Sequence, residues 1–407
     1  MFGIANCIAG GPIYDCNKKM YLEEHGWNVV VVPVSAGKVL LTPLKEYEGI
    51  SFPFVTASPS SFTKKKLHVK IEELVSYVNV GTSEETIIET GTDYTALWGE
   101  LLAERLNAKH IIMFLDETNR NVNDNTYKFY EFKYKRGELA SISLESLNAI
   151  FSPYFELSNP EQHVLSAWCR NSVGDNDFEL EKHIPTGDFV IGSIGRLEKG
   201  FVPNIIQGIC QFAQKVPNQK VSVCFIGGSD RKTEEKVRNG FASIKNISLY
   251  ITGYLWPIPR NLFTRFDLFI SGAGSVYVSA NMGIATVRMD VITYEPLGFV
   301  KSLNPENMET QNLKNGTVED YIWKALIEKD TPKITDRIPL EKEWEYISAS
   351  FDKHMKFIEN SANTKEYYPT NVMPPPTHKE KIKKTAIRIL GYETYYKLLT
   401  GIKRTKP

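Results

Sequence analysis

Phe189-Val190-Ile191-Gly192-Ser193-Ile194-Gly195-Arg196-Leu197-Glu198-Lys199-Gly200 is the stretch that decides the fold of this chain. Its opening is nearly continuous in apolar residues, as in a strand covered on both faces, and a glycine and two cations follow at once. Working outward, runs of the same kind recur at Val221–Ile226, Ile247–Thr252, Leu268–Ser271 and Ala285–Met289. Between Ile194 and Val221, Pro203 suits a first helical turn, and Ile205, Ile206, Ile209, Cys210, Phe212, Ala213 and Val216 then repeat at helical spacing. This alternation predicts an α/β architecture, a doubly wound parallel sheet wrapped by helices.

The N-terminal half repeats the theme less regularly. A strand to about Ala9, a helix over Tyr14–His25 and a strand over Asn28–Pro33 precede extended segments near Leu40 and Phe52. A helix at Lys65–Val78, a strand at Ile87–Glu89, a helix through Leu97 to Leu106 and a strand at His110–Leu115 follow. Asn159–Thr186 has the Asn, Asp, Ser, Gly and Pro content of an interdomain connection, so the boundary is expected near Pro185. Helices are expected at Val318–Lys329 and Leu340–Glu359, before Pro374-Pro375-Pro376 closes the globular part. The expected organisation is therefore two Rossmann-like domains, 1–185 and 186–373, the latter with a terminal return helix, and a basic amphipathic tail, 374–407.

The chain has 407 residues and a formal net charge of zero, which removes the overall basic excess of a nucleic-acid-binding protein. From Thr377 to Pro407, however, nine Lys and Arg face two Glu, a local net charge of +7. Five cysteines, an odd number with no CxxC pair, favour reduced thiols and a cytoplasmic location. Met1–Gly11 lacks the basic start of a secretory signal and reads as a first strand. The longest apolar runs fall far short of the roughly 20 residues that span a bilayer as helix.

Arg196 and Lys199 leave the C-terminal end of a parallel strand, the edge at which open α/β sheets bind ligands. A guanidinium and an ammonium three residues apart can clamp a diphosphate, although a solvated pair on a surface turn accounts for them equally well. Gly272-Ala273-Gly274-Ser275 follows another strand and opens a helix, which offers backbone amides to an anion at the same edge, with Ser275 as N-cap or phosphate ligand. Gly228 and Tyr254 leave the intervening strands there as well, and Gly10-Gly11 follows the first strand of the N-terminal half. Asp175-Asn176-Asp177 lies in the connector, not at a strand end, and is rejected as a metal site; Gly37-Lys38-Val39 lacks the companions of a phosphate-binding loop.

Together these elements resemble GT-B glycosyltransferases, in particular the family-4-like group of surface polysaccharide synthesis. The likeness rests on the early Gly-Gly, on Asn171, Val173, Asp177 and Phe178 entering the second domain, on Gly195-Arg196-Leu197 with Lys199-Gly200, on Gly227-Gly228, and on a helix ending at Gly283. The resemblance implies two domains facing a cleft, with an acceptor in the first and a nucleotide-sugar in the second. Arg196 and Lys199 would hold the donor diphosphate and act in catalysis. Gly10, Gly11, Gly228, Tyr254, Gly272, Gly274 and Ser275 would line the donor. The paired glutamates usual around the helix opened by Ser275 are missing, and Asp290 and Glu295 are the nearest carboxylates that could replace them. The family's histidine is also missing, and Glu89, Asp93 and Asp116 stand at the strand ends instead; Asp93 and Asp116 would orient the acceptor hydroxyl, though Asp93 fits an N-cap as well.

The resemblance implies transfer with retention, with no cofactor and no obligatory metal, to a glycan or lipid-linked glycan. The basic tail, with its interleaved apolar and aromatic residues, would then lie on the anionic inner face of the cell membrane as a peripheral contact, although a disordered solubilising tail accounts for the same composition. A nucleotide-sugar epimerase or hydrolase on the same fold, and a non-catalytic partner subunit with a degenerate donor site, stay open.

Overall fold

The structure, a computed structural model, describes residues 2–4, 8–35, 39–80, 85–91, 94–115, 126–304, 308–362, 364–369, 378–392, 394–396 and 398. Two compact units divide the chain: Met1–Asn6, Asp15–Trp168 and Ile347–Pro407 form the first, Cys7–Tyr14 and Cys169–Tyr346 the second.

In the first unit β1 (Phe2–Ile4) pairs in parallel with β2 (Val32–Pro33), and α1 (Gly10–Glu24) lies between them in sequence. After α2 (Lys64–Val78), β3 (Ile87–Thr90), α3 (Tyr94–Leu106), β4 (Lys109–Phe114), α4 (Tyr127–Lys135) and β5 (Leu139–Ser141) build a parallel sheet in the order β3-β4-β5, and α5 (Leu144–Phe151) follows. Every residue of α3 from Ala96 to Ala103 is buried, so this stretch of the helix shows no exposed face and only a blurred helical period. Trp98 is fully buried because its indole N–H reaches the Ala57 carbonyl at 2.8 Å.

Buried charge ties these elements together. Lys133 is 1% exposed and lies 3.0 Å from Glu100 Oε2 and 2.7 Å from Glu138 Oε2. Glu100 also accepts from His110 Nδ1 at 2.6 Å and from the Tyr368 backbone N–H at 2.7 Å. Burial alone would raise the Glu100 carboxyl, but His110 and Lys133 hold it down at about 2.

The second unit begins with β6 (Val173–Gly174) and α6 (Phe178–Glu181). β7 (Phe189–Ile194), α7 (Val202–Lys215), β8 (Val221–Ile226), α8 (Arg231–Phe241) and β9 (Ile247–Ile251) come next, and β10 (Ile258–Pro259) pairs back onto β6. β11 (Leu268–Gly272), α9 (Ser275–Asn281), β12 (Thr286–Met289), β13 (Pro296–Ser302), β14 (Glu309–Gln311) and α10 (Val318–Leu326) complete it. The seven-stranded sheet runs β14-β13-β12-β11-β7-β8-β9. From β12 to β9 it is parallel, with β7 in the middle, so the chain winds outward one way from β7 through β8 and the other way through β11. α7 buries Ile205, Ile209, Phe212 and Ala213 on one face of this sheet, the stripe expected from sequence. The chain then runs through α11 (Glu343–Asn360), which ends in the first unit, and α12 (His378–Leu390).

Three features differ from the sequence reading. The segments near Leu40 and Phe52 lead into 3₁₀ turns at Thr42–Tyr47 and Pro53–Thr56, each with proline in its first turn. The antiparallel edge β13–β14 has no clear mark in the sequence, because Pro296 and Gly298 interrupt its apolar run. Residues from Cys169 onward already pack with the second unit, upstream of the expected boundary near Pro185: Asn171 Nδ2 donates to the Leu255 carbonyl at 2.8 Å, and Asn261 Nδ2 to the Asp177 carbonyl at 3.0 Å.

Substituting Lys133 with Met leaves Glu100 and Glu138 buried without their ammonium, and chemical denaturation should register a loss of about 3–5 kcal/mol in the first unit. Lys182→Met, which breaks the exposed Lys182–Glu179 pair, should leave the denaturation curve unchanged.

Candidate functional site

β7 and β11 are hydrogen-bonded neighbours, yet their chains continue to opposite sides of the sheet. The connections that leave their C-terminal ends therefore diverge and open a crevice, the switch point at which doubly wound sheets take ligands. Gly195–Gly200 and Gly272–Ser275 are those two connections. The buried Ser271 hydroxyl accepts from the Ile194 N–H at 2.9 Å and locks the two strand ends together.

Glycine is required here by close approach. A Cβ on Gly227 would lie 1.9 Å from the Gly195 carbonyl oxygen, and Gly195 itself has φ +137° with its Cβ position 3.6 Å from Ser275 Oγ. The Gly227 loop bridges to Gly253, and the Tyr254 ring packs 3.3 Å from where a Gly228 side chain would begin. Gly195, Gly228, Tyr254, Gly272 and Ser275 thus line adjoining strand ends at one edge.

Arg196 is partly exposed in the first of these loops, with its Nη1 3.0 Å from Glu198 Oε1. The other Glu198 oxygen accepts from Ser229 Oγ at 2.9 Å, so one carboxylate links the loops after β7 and β8 and holds the guanidinium at their junction. Lys199 is half-buried one step on, and its backbone carbonyl accepts from Val202 N at 3.0 Å as α7 begins.

The remaining residues singled out in the sequence are placed as follows. Gly274, not Ser275, is the N-cap of α9, and α9 has only seven residues, so its dipole adds little to an anion site. Gly10, the first residue of α1, has its Cβ position 3.2 Å from Cys169 Cβ; Gly11 follows it in the same helix. Asp290 Oδ1 accepts from the Ile292 and Thr293 N–H groups at 2.6 and 3.1 Å, which makes it the hinge of the turn after β12. Glu295 is exposed and its carbonyl closes that turn onto Asp290 N at 2.8 Å. The turn carries Tyr294 onto Gly200, beside Lys199. Asp177 caps α6, accepting from Glu179 N and Leu180 N at 3.1 and 2.9 Å. Asp93 and Asp116 lie outside the described residues. Among the described residues no group of three His, Cys, Asp or Glu side chains is placed to hold a metal ion.

Two features escaped the sequence reading. Arg170 passes Gly274, whose Cβ position lies 3.5 Å from Arg170 Cβ, and its guanidinium sits 4.6 Å over the Tyr277 ring with Glu343 at 3.9 Å. Burial outweighs Glu343 and lowers this guanidinium to about 10. No motif marks Arg170, since its neighbours come from α9 and the start of α11. In the first unit, Lys18 of α1 forms a buried ion pair with Glu89 near the C-terminal end of β3. Asp15 stands one turn before Lys18 on the same helix face. His354 of α11 lies close to this pair and donates from Nε2 to the Ser166 carbonyl at 2.9 Å; burial first, then Lys18, lowers it to about 4.

No protein-family model and no curated protein matches the sequence. Solved structures are similar. A glycosyltransferase from Rickettsia africae ESF-5 is 15% identical, matches 96% of this chain over 98% of its own and gives a TM-score of 0.54. The S. aureus MnaA–UDP co-structure is 13% identical over 90% of this chain and 97% of that one, with a TM-score of 0.48. A putative UDP-N-acetylglucosamine 2-epimerase from Listeria monocytogenes is 11% identical over 90% and 91%, with a TM-score of 0.41. The likeness to the Rickettsia protein, end to end in both chains, shows a shared fold: this chain has the GT-B architecture that its sequence resembles.

Half-buried Asp15 is pushed from its ordinary 3.8 to about 7, by burial first and then by Glu89. A carboxyl raised by folding adds stability while protonated and loses it as pH climbs from its unfolded value through its folded one. The melting temperature of Asp15→Asn relative to the unsubstituted protein should therefore rise between about pH 4 and about pH 7 and level off above that.

Proposed function

We propose that this protein is a glycosyltransferase that moves a sugar from a nucleoside-diphosphate donor to a hydroxyl of a glycan. The observation that carries the reading is the convergence of Arg196, Lys199, Gly228, Tyr254 and the Gly272–Ser275 loop at the switch point of the second unit. There the diphosphate would meet a guanidinium and an ammonium, whose charge-assisted hydrogen bonds fit phosphate oxygens. The same cations would stabilise negative charge as it develops on the departing diphosphate, with greatest effect in the transition state. The Tyr254 ring offers a flat apolar face to a base or sugar, and the glycines let the donor approach the backbone.

The name of the Rickettsia protein, a glycosyltransferase of the same fold, supports transfer as the reaction. Retention at the anomeric carbon, a role in polysaccharide synthesis and a cytoplasmic setting belong to this proposal through the family-4-like motifs and the odd cysteine count. In the first unit half-buried Asp15, near the buried Lys18–Glu89 pair, offers a carboxyl for an acceptor hydroxyl. The reading that competes is donor chemistry without an acceptor, epimerisation or hydrolysis, which the missing paired glutamates keep in view.

Thermal-shift measurements with UDP, GDP, ADP, CDP and matched nucleotide sugars test the donor site. One nucleotide at 100 times its Kd should stabilise the protein by about 2.7 kcal/mol. Arg196→Ala and Lys199→Ala should each abolish the shift, and Arg196→Ala should slow transfer by about 10²-fold. Consumption of donor with no acceptor present would replace transfer by epimerisation or hydrolysis. Stabilisation by no nucleotide would leave a non-catalytic subunit.

A further inference from the structure

The basic C-terminal segment is anchored, and its anchoring decides which face it turns outward. In α12 Ile387 is buried, and just beyond the helix so is Tyr392; both join the core of the first unit with Phe62 and Trp98. The Tyr392 hydroxyl donates to the Pro53 carbonyl, its ring centroid lies 5.8 Å from that of Phe62, and Lys383 Nζ lies 5.9 Å over the Tyr94 ring. These contacts fix the rotation of α12 about its axis. Ile382 and Ile389, seven residues apart and so on one helix face, point away from the Ile387 side and are 64% and 76% exposed. Leu390 and Leu398 are exposed as well, and Lys381 is exposed next to Ile382.

Single exposed apolar residues are ordinary on a protein surface, but here two isoleucines share one helix face beside an exposed lysine. That face sits in a segment of net charge +7 on a chain whose formal net charge is zero. Apolar side chains flanked by cations match an anionic lipid surface, where the former enter the acyl boundary and the latter meet headgroup phosphates. A second copy of the chain fits poorly, because pairing this face with itself would bring two segments of charge +7 together. We infer that α12 docks the first unit onto an anionic membrane surface through the face that carries Ile382 and Ile389. Among the described residues no helix is long and apolar enough to cross a membrane, so the contact is peripheral. The inference rests on the packing of α12 and holds whichever reaction the second unit supports.

Sedimentation of the full chain with vesicles tests it. Vesicles of equimolar phosphatidylcholine and phosphatidylglycerol should bind the protein about tenfold or more tightly than phosphatidylcholine alone, and salt should weaken the binding. The Ile382→Ser/Ile389→Ser variant, whose substitutions are exposed and should leave melting unchanged, is expected to lose most of it. Lys381→Glu/Lys384→Glu should lose it too, through charge with the apolar face intact. Equal binding by both variants overturns the proposal, and so does failure of the unsubstituted protein to bind anionic vesicles. A dimer that the isoleucine variant dissolves assigns the face to a second copy and overturns it as well. Nucleotide thermal shifts read the donor site separately, so either result stands without the other.

Discussion

The second unit depends on one topological constraint, the central position of β7 with β8 on one side and β11 on the other. Both neighbours are parallel to it, and the helical connections leave in opposite directions, so the polypeptide cannot cover the C-terminal ends of the central strands. The exposed edge must then be finished by tight backbone, which accounts for the close approach of Gly227 to the Gly195 carbonyl and for the Ser271 hydroxyl that clasps Ile194. Arg196 and Lys199 occupy that edge because they directly follow the strand.

Charge is used in two ways in the molecule. In the first unit Lys133 is enclosed by Glu100 and Glu138, with His110 bonded to Glu100, and every partner is buried. Such a network specifies the packing of α3, β4 and α4, and is costly only when one member is removed. At the C-terminal edge of the second unit's sheet Arg196 is partly exposed and shares Glu198 with Ser229, an arrangement an anionic ligand can enter without stranding a buried charge. Asp15 lies between these extremes: half-buried near the Lys18–Glu89 pair, it holds its proton close to neutral pH.

Much of the second unit was legible because its strands are buried on both faces and therefore spell out their own limits: β7 and β8 fall where the apolar runs fall. The motif glycines were legible for the same local reason. Arg170 and Asp15 were not, since each derives its environment from residues distant in sequence: Arg170 from Tyr277 and Glu343, Asp15 from Glu89. The short α9 shows the limit from the other side, for a Gly-Ala-Gly-Ser string announces a helix start but says nothing about how soon the helix ends.

The sequence by itself determined the alternation of strand and helix, the doubly wound class and the loops that bear cations, because those follow from periodicity and neighbouring residues. Only the tertiary structure decided that the basic tail packs through Ile387 and Tyr392 and that residues 169 to 185 belong with the second unit. It also set which carboxylates are engaged, Asp290 in a turn, Asp177 in a cap and Glu89 with Lys18. The physical reason is range. Hydrophobic period acts over one turn or one strand, whereas burial, ion pairing and the exposed face of a docked helix are set by groups that meet only after the chain has folded.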